Sequence, residues 1–329
     1  MIKRIAINGL GRIGRKLIRL ISYRNDIEIV AVNDLMHIEM ACHLIQYDST
    51  FGKLQKTVSY NNSSIQIGEK TIAYSSVAHI EALPWLDLNI DIIINCSGTY
   101  KTSLDLDKYL VFNPQKVILS SPPDSDSIPI IINGFNDTDS LNQRIISNAS
   151  CTTYSIVPIL DIIERNFGVA FLNFATIHSY TSDQNIQDAL HSDYRRARAA
   201  ANNIIPTTTS ATKVLRKLFP GLIHNISGTS YRVPVINGSI TELNFVLKQN
   251  TTIERVKEIL IHEKNEKYNQ IIDFEYNPIV SSDILNCEFA SLIDFNEMEL
   301  MQDKYLKIRT FYDNESGYSQ MLIQLILIS

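Results

Sequence analysis

The residues best equipped for chemistry stand together at Ser147-Asn148-Ala149-Ser150-Cys151-Thr152-Thr153. A strand-like run from Arg144 to Ser147 leads into them. Behind them Ile156, Val157, Leu160, Ile162 and Ile163 recur at helical spacing up to Phe167. Small residues and Asn suit a tight strand-to-helix turn, with Ser150 as the cap. Cys151 would then open a helix, where unpaired N–H groups and the macrodipole favour negative charge. Such a setting is expected to lower the thiol and yield a reactive thiolate. A lone Cys can equally fill a core gap, so its reading depends on the company it keeps.

A second cluster lies downstream. Residues 170–178 read as a strand that delivers His178 into a polar loop, Ser179-Tyr180-Thr181-Ser182-Asp183-Gln184. A basic run, Tyr194-Arg195-Arg196-Ala197-Arg198, is followed by a long loop ending in Thr207-Thr208-Thr209-Ser210. Long ordered loops inside compact domains are usually functional.

A third cluster sits at the start of the chain. Residues 3–8 form an apolar strand that runs into Gly9-Leu10-Gly11-Arg12-Ile13-Gly14-Arg15, then an amphipathic helix, then a second strand ending in Asp34. Strand, G-x-G-x-x-G, helix, strand and acid, with 34 − 14 = 20 residues from last glycine to acid, is the dinucleotide-binding arrangement. Gly9 and Gly11 would permit the turn and close backbone approach, and Gly14 close helix packing. Gly9, Gly11, Arg12, Ile13 and Gly14 are the candidate pyrophosphate contacts at a helix start. Asp34 would accept from the adenosine ribose hydroxyls and repel a 2′-phosphate, which favours NAD. Ser97 and Ser120 end two further apolar strands (residues 91–98 and 116–121) and are candidates to line the nicotinamide half.

These clusters need two domains to position them, and 329 residues suffice for two cores. The fold class is α/β: a Rossmann-type dinucleotide-binding domain over residues 1–150, then a catalytic α+β domain over residues 151–316 with a mostly antiparallel sheet. Alternating runs between Val58 and Tyr74 read as antiparallel hairpins, and the last segment as a helix. With 45% hydrophobic and 20% charged residues and net charge −5, nothing advertises nucleic acid or an anionic membrane. No apolar run reaches the length of a membrane span, and the N-terminal run has no secretory pattern. Cys42, Cys96, Cys151 and Cys287 lack paired spacing, so neither a metal site nor a disulfide framework is expected. That fits a reducing, cytoplasmic setting.

Taken in order, these pieces resemble the phosphorylating glyceraldehyde-3-phosphate dehydrogenase family over essentially the whole chain. The matching stretches are residues 7–15, 47–52, 147–153, 178–181, 195–200, 204–209, 232–234 and 312–315. The resemblance implies a cytoplasmic homotetramer that takes a sugar phosphate and inorganic phosphate. It also implies a terminal helix, residues 317–329, returning to the first domain. Cys151 would be the nucleophile, and His178 would raise its thiolate fraction and act as acid and base. Thr181, Arg196 and Arg232 map to the substrate phosphate; Ser150, Thr152, Thr209 and the backbone of Ser210 map to the attacking one. Asn314 maps to the residue that fixes the nicotinamide amide, and Tyr318 to one that packs on the ring.

Some positions depart from the family pattern. Tyr154 and Ser155 stand where Asn and Cys are usual, Ser210 replaces a Gly, Ser316 replaces a Trp, and Ala189-Leu190 matches neither common cofactor signature. Two other readings follow. The related erythrose-4-phosphate dehydrogenases are faintly resembled at Leu83-Pro84-Trp85 and Asp188-Ala189. A nucleotide-binding scaffold with weakened turnover is the other, set against the joint presence of Cys151, His178, Thr181, Arg196, Arg232 and Asn314.

Overall fold

A computed structural model describes residues 2–140 and 142–329. The chain divides into two compact units, Met1–Ala149 with Ser319–Ser329, and Ser150–Tyr318.

The first unit begins with β1 (Lys3–Asn8), α1 (Arg12–Ile21), β2 (Ile27–Asn33) and α2 (Ile38–Gln46). Two short pieces, β3 (Tyr47–Asp48) and β4 (Gly52–Lys53), pair with each other. Then come β5 (Val58–Tyr60), β6 (Ser64–Ile67), β7 (Lys70–Ser75), β8 (Ile92–Asn95), α3 (Ser103–Asp107), β9 (Lys116–Leu119) and β10 (Ile145–Ser147). The sheet order is β10-β9-β8-β1-β2-β7-β6-β5. It is parallel from β10 to β7 and antiparallel only in the β7-β6-β5 hairpins. Strands β8 and β9 are buried throughout, as continuous apolar runs between covered faces should be. The chain leaves β1 toward β2 on one side and β8 lies on the other, so the order reverses at the carboxyl end of β1, where the glycine loop begins. Open α/β sheets bind ligands at such a point.

The second unit opens with α4 (Cys151–Phe167), almost wholly buried, and continues with β11 (Val169–Ser179), β12 (Ile205–Thr207), α5 (Ala211–Leu218), β13 (Ile226–Val233) and β14 (Ser239–Leu247). It ends with α6 (Ile253–Glu266), β15 (Ile272–Glu275), β16 (Ser291–Asp294), β17 (Glu299–Met301), β18 (Tyr305–Tyr312) and the start of α7 (Ser316–Ile328). The sheet order is β12-β13-β11-β14-β18-β16-β15, with β17 beside β18. It is mixed: β11/β13 and β15/β16 run parallel and the remaining pairs antiparallel. Alternate residues of β14 are buried, the period-two mark of a sheet with one covered face. On β11 the same parity places Phe174, Thr176 and His178 together, all buried.

Candidate active site

In the first unit the glycines behave as their spacing predicts. Gly9 has φ +103°, and a Cβ there would lie 2.5 Å from the Ser97 backbone. A Cβ on Gly14 would lie 2.1 Å from the Gly9 carbonyl, so the helix can pack only on hydrogen. Gly11 is different: nothing lies within 4 Å of its missing side chain, and α1 starts there with no side-chain cap. An uncapped helix start facing open space is an anion cradle. The Asp34 carboxylate braces this loop, accepting from Leu10 N–H at 2.6 Å and from Met36 N–H at 3.0 Å. Its remaining lone pairs can accept from ribose hydroxyls. These residues therefore fit a dinucleotide.

Other first-unit candidates carry local duties. The Arg12 guanidinium pairs with the Asp48 carboxylate at 2.6 Å and 3.2 Å, so its side chain is already engaged by an acid. Ile13 follows on the same turn. Ser97 donates to the Asn95 side chain at 2.7 Å and Ser120 to the Asn95 carbonyl at 2.9 Å. Both hydroxyls are oriented by one residue at a strand end. Leu83 and Trp85 are core residues, with Trp85 stacked on Tyr109, so packing accounts for that triplet.

In the second unit the nucleophile candidate meets its base. Ser150 caps α4, its Oγ accepting from Thr153 N–H at 3.2 Å, and Cys151 is the first helical residue. The preceding Ala149 holds φ +49°, a sharp left-handed turn that a β-carbon tolerates at a cost of about 1 kcal/mol. Cys151 Sγ lies 3.5 Å from His178 Nε2. Across the β11/β13 ladder His178 is in register with Arg232, and Arg232 Nη1 reaches both His178 Nδ1 and the Ser179 carbonyl, the latter at 3.1 Å. His178 Nδ1 itself lies 2.7 Å from that carbonyl. The ring of Tyr312, at the end of β18, stands edge-on to the imidazole with centroids 5.9 Å apart. Its hydroxyl is 3.1 Å from Thr152 Oγ1.

The electrostatics reverse one expectation. Burial pushes the Cys151 thiol up; Arg232 and the N–H groups of Thr152 and Cys151 pull it down, but burial wins. The helix start acts in the anticipated direction and is outweighed. Burial, then the like charge of Arg232, pushes His178 down to about 3. The resting pair is therefore a neutral thiol beside a neutral imidazole, and the thiol's proton must be removed during attack.

The remaining candidates are held by separate sets of contacts. Thr181 donates its N–H to Gln184 Oε1 at 2.9 Å, Gln184 donates to Asp183 at 2.9 Å, and Arg196 donates to the same Asp183 oxygen at 2.8 Å and to Thr207 at 2.8 Å. That chain ties Thr181 to Arg196. The Arg232 Nε is buried with no partner among the described residues. Thr209 and Ser210 stand apart from Ser150 and Thr152 in their bonding. Thr209 Oγ1 accepts from Ala211 N–H at 3.2 Å and lines an open hollow of about 920 Å³ with Thr207, Thr212 and Arg195. Ser210 is exposed and caps α5 with its backbone at φ −65°, a conformation open to any residue, so the missing glycine costs no strain. Asn314 Oδ1 accepts from Ser179 Oγ, Gly238 N–H and Ser239 Oγ at 2.9, 3.1 and 3.1 Å, which fixes the orientation of its amide. Tyr154 and Tyr318, both buried, meet edge-on at 6.3 Å, so the bulky residue after the Thr pair turns into the core.

Ser179, Asp183, Gln184 and Tyr312 were not singled out from the sequence. Asp183 and Gln184 sit on the same polar loop as Thr181, the one sequence signal available for them. Tyr312 could have been found from strand parity at the end of β18.

Comparison with known proteins covers both units. Residues 3–103 match the family model described as glyceraldehyde 3-phosphate dehydrogenase, NAD binding domain, and residues 150–314 match its C-terminal domain. The chain is 38% identical over 327 residues to glyceraldehyde-3-phosphate dehydrogenase 1 of Bacillus subtilis (strain 168), covering 99% of this chain and 97% of that one. It is 38% identical over 325 residues to glyceraldehyde-3-phosphate dehydrogenase 2 of Streptomyces avermitilis, covering 98% and 97%. A third relative, from Priestia megaterium, is 37% identical over 327 residues, covering 99% and 97%.

Proposed function

The chain belongs to the glyceraldehyde 3-phosphate dehydrogenase family, and on that premise we propose the part each residue plays in its reaction. That reaction is the NAD-dependent oxidation of glyceraldehyde 3-phosphate, with inorganic phosphate, to 1,3-bisphosphoglycerate. The relatives' names favour the triose phosphate over the errant four-carbon alternative, erythrose 4-phosphate.

Cys151 sulfur attacks the aldehyde carbon while His178 Nε2 takes the thiol proton and passes it to the carbonyl oxygen, giving a thiohemiacetal whose carbon can release hydride. Bound NAD supplies the hydride acceptor. His178 then removes the hydroxyl proton as the thioester forms. Inorganic phosphate attacks the thioester carbon, the C–S bond breaks, and Cys151 leaves protonated. Thr181, Arg196 and Arg232 hold the substrate's own phosphate, with Arg232 contributing a guanidinium whose Nε lacks a partner among the described residues. Ser150, Thr152, Thr209 and the Ser210 backbone receive the attacking phosphate. Gly9, Gly11, Arg12, Ile13, Gly14 and Asp34 hold the adenosine and pyrophosphate, Ser97 and Ser120 line the site, and Asn314 and Tyr318 serve the nicotinamide. Residues up to Ala149, with Ser319–Ser329, serve as the NAD-binding domain and Ser150–Tyr318 as the catalytic domain.

The observation that carries this assignment is the 3.5 Å approach of Cys151 Sγ to His178 Nε2 at the start of α4. A homotetramer in the cytoplasm completes the proposal. It is supported by apolar side chains left in water along one loop: Leu190 is 99% exposed, Tyr194 91%, Ile204 69% and Ile186 66%. Among the described residues no helix is long and apolar enough to cross a membrane.

NAD reduction should be followed with glyceraldehyde 3-phosphate and with erythrose 4-phosphate, each with and without inorganic phosphate. The triose phosphate should be preferred and turnover should depend on inorganic phosphate. Phosphate-independent turnover to the free acid would overturn the residue roles.

A further inference from the structure

One buried amide touches both halves of the polar loop that carries Thr181. Gln184 is 5% exposed, and chemistry assigns each end of its side chain. One end takes the Thr181 N–H at 2.9 Å and the Thr181 hydroxyl at 3.2 Å, so it is the oxygen, Oε1. The other faces a carboxylate oxygen, Asp183 Oδ2, at 2.9 Å, so it is the nitrogen, Nε2. The backbone closes the same unit, with Gln184 N–H donating to the Thr181 carbonyl at 3.0 Å.

Without this amide Asp183 would be poorly held. Its side chain is 51% exposed, and an ion pair that open to water contributes little, because two flexible groups must be ordered. Its Oδ1 lies 3.6 Å from His191 Nε2, beyond hydrogen-bond reach. The carboxylate is therefore fixed by two donors on Oδ2, Arg196 Nη1 at 2.8 Å and Gln184 Nε2 at 2.9 Å. Arg196 is held in turn by Thr207 Oγ1, which accepts from its Nε at 2.8 Å.

Thr181 has two donors, and Oε1 occupies both at rest. They are not equal. The N–H bond is the shorter and its direction is set by the chain, whereas the hydroxyl hydrogen turns about a single bond. An arriving anion can draw the hydroxyl while the N–H keeps Oε1 satisfied, so no buried acceptor is left bare.

We propose that Gln184 is a positioning residue for the substrate phosphate: its oxygen holds Thr181, its nitrogen holds the Asp183–Arg196 pair, and one rigid amide thereby sets the spacing of hydroxyl and guanidinium. The proposal rests on the phosphate-binding roles given above to Thr181 and Arg196 and adds the residue that ties them together. Gln184 has no hydrogen bond to Cys151 or His178 among the described residues, so its effect belongs in KM and not in kcat.

Variants of the full chain loaded with NAD test this in steady state, with glyceraldehyde 3-phosphate and with unphosphorylated glyceraldehyde. Gln184→Met keeps the length and removes both bonds without adding charge. It should raise KM for glyceraldehyde 3-phosphate about tenfold, the size of one hydrogen bond lost at a charged group, and leave kcat nearly unchanged. Its kcat/KM for glyceraldehyde should match wild type. Gln184→Glu changes one atom, keeps the acceptor for Thr181 and sets a second carboxylate against Asp183, so KM should rise likewise. Adding Asp183→Asn reverses the polarity of the pair: the introduced amide donates to the introduced carboxylate and accepts from Arg196. KM should then return to about the wild-type value. That recovery should exceed the effect of Asp183→Asn alone, because independent charge effects would simply add. An unchanged KM in Gln184→Met, or an equal loss with both aldehydes, overturns the proposal. Should that variant not fold, a purely additive recovery in the swapped pair overturns it instead. Absence of NADH from wild type with glyceraldehyde 3-phosphate would overturn the function rather than this role.

Discussion

Arg196 already holds a carboxylate: its Nη1 donates to Asp183 Oδ2 at 2.8 Å, on the same loop as Thr181. A substrate phosphate placed there must share or displace that anion. Asp183→Asn keeps a hydrogen-bonding shape but removes the competing charge. It should lower KM for glyceraldehyde 3-phosphate several-fold, about 1 kcal/mol, with little effect on kcat. A raised KM in steady-state assays would mean that Asp183 organises the site more than it competes for it.

The His178–Cys151 pair should show in alkylation. Neutral iodoacetamide should label Cys151 before Cys42, whose thiol burial pushes up to about 11, and before Cys96, pushed to about 12. Neither of those has a histidine partner among the described residues. Labelling of Cys151 should rise with pH past neutrality, since burial also raises its own thiol. His178→Asn should slow labelling near pH 7 and converge with wild type at high pH. Equal labelling of all four thiols at neutral pH, read by peptide mass spectrometry, would remove Cys151 from the mechanism.

Acid stability follows from the same histidine. Its folded value, about 3, lies below its unfolded value of about 6.5. The unfolded chain therefore binds the extra proton, and stability falls as pH drops from about 6.5 toward 3. The slope is about 1.4 kcal/mol per pH unit for each chain over that window. Depressed carboxylates such as Asp161 add their loss only below their own unfolded range, about pH 4. Denaturant titrations at pH 7 and pH 5 should show the loss, and His178→Asn should flatten it. An unchanged slope in the variant would place the acid sensitivity elsewhere.

The role proposed for Asp34 predicts the cofactor choice. Wild type should use NAD with higher kcat/KM than NADP. Asp34→Ala should narrow the ratio and also raise KM for NAD, because Leu10 N–H loses its acceptor and the glycine loop its brace. Equal efficiency with both cofactors in wild type would contradict the role given to the carboxylate.

Within the second unit Asp161 gathers Tyr268 Oη at 2.6 Å, Lys267 Nζ at 2.9 Å and Arg165 Nε at 2.9 Å, linking α4 to the end of α6. Asp161→Ala should destabilise by about 2–3 kcal/mol, as for a lost charge-assisted network partly open to water. Tyr268→Phe should cost about 1 kcal/mol. Denaturation midpoints without change in activity per folded molecule would check both.

Sequence legibility followed the range of the forces involved. The glycine loop, its Asp34 and the capped start of α4 were readable because turn geometry and capping are local. Hydrophobic period separated strands from helices for the same reason. What stayed hidden was set by register between distant strands. Nothing local says that His178 faces Arg232, or that Tyr312 reaches Thr152. The thiol was misjudged because a helix start is visible in sequence and burial is not. Ser210 stands where the family has a Gly, and its φ of −65°, which no local signal announces, is open to any residue.

The last eleven residues have a consequence for biosynthesis. Leu322, Ile323, Leu325 and Ile326 belong to the same apolar core as Ile5, Ile7, Leu17 and Ile94. Asn133 donates to the Met321 carbonyl at 2.7 Å, and Lys3 to the Ser329 carbonyl. A ribosome releasing the chain from its N-terminus therefore exposes the first unit with part of its core missing until residues 319–329 emerge. That unit cannot finish folding as it emerges, and its uncovered face is the segment most in need of chaperone shielding during synthesis.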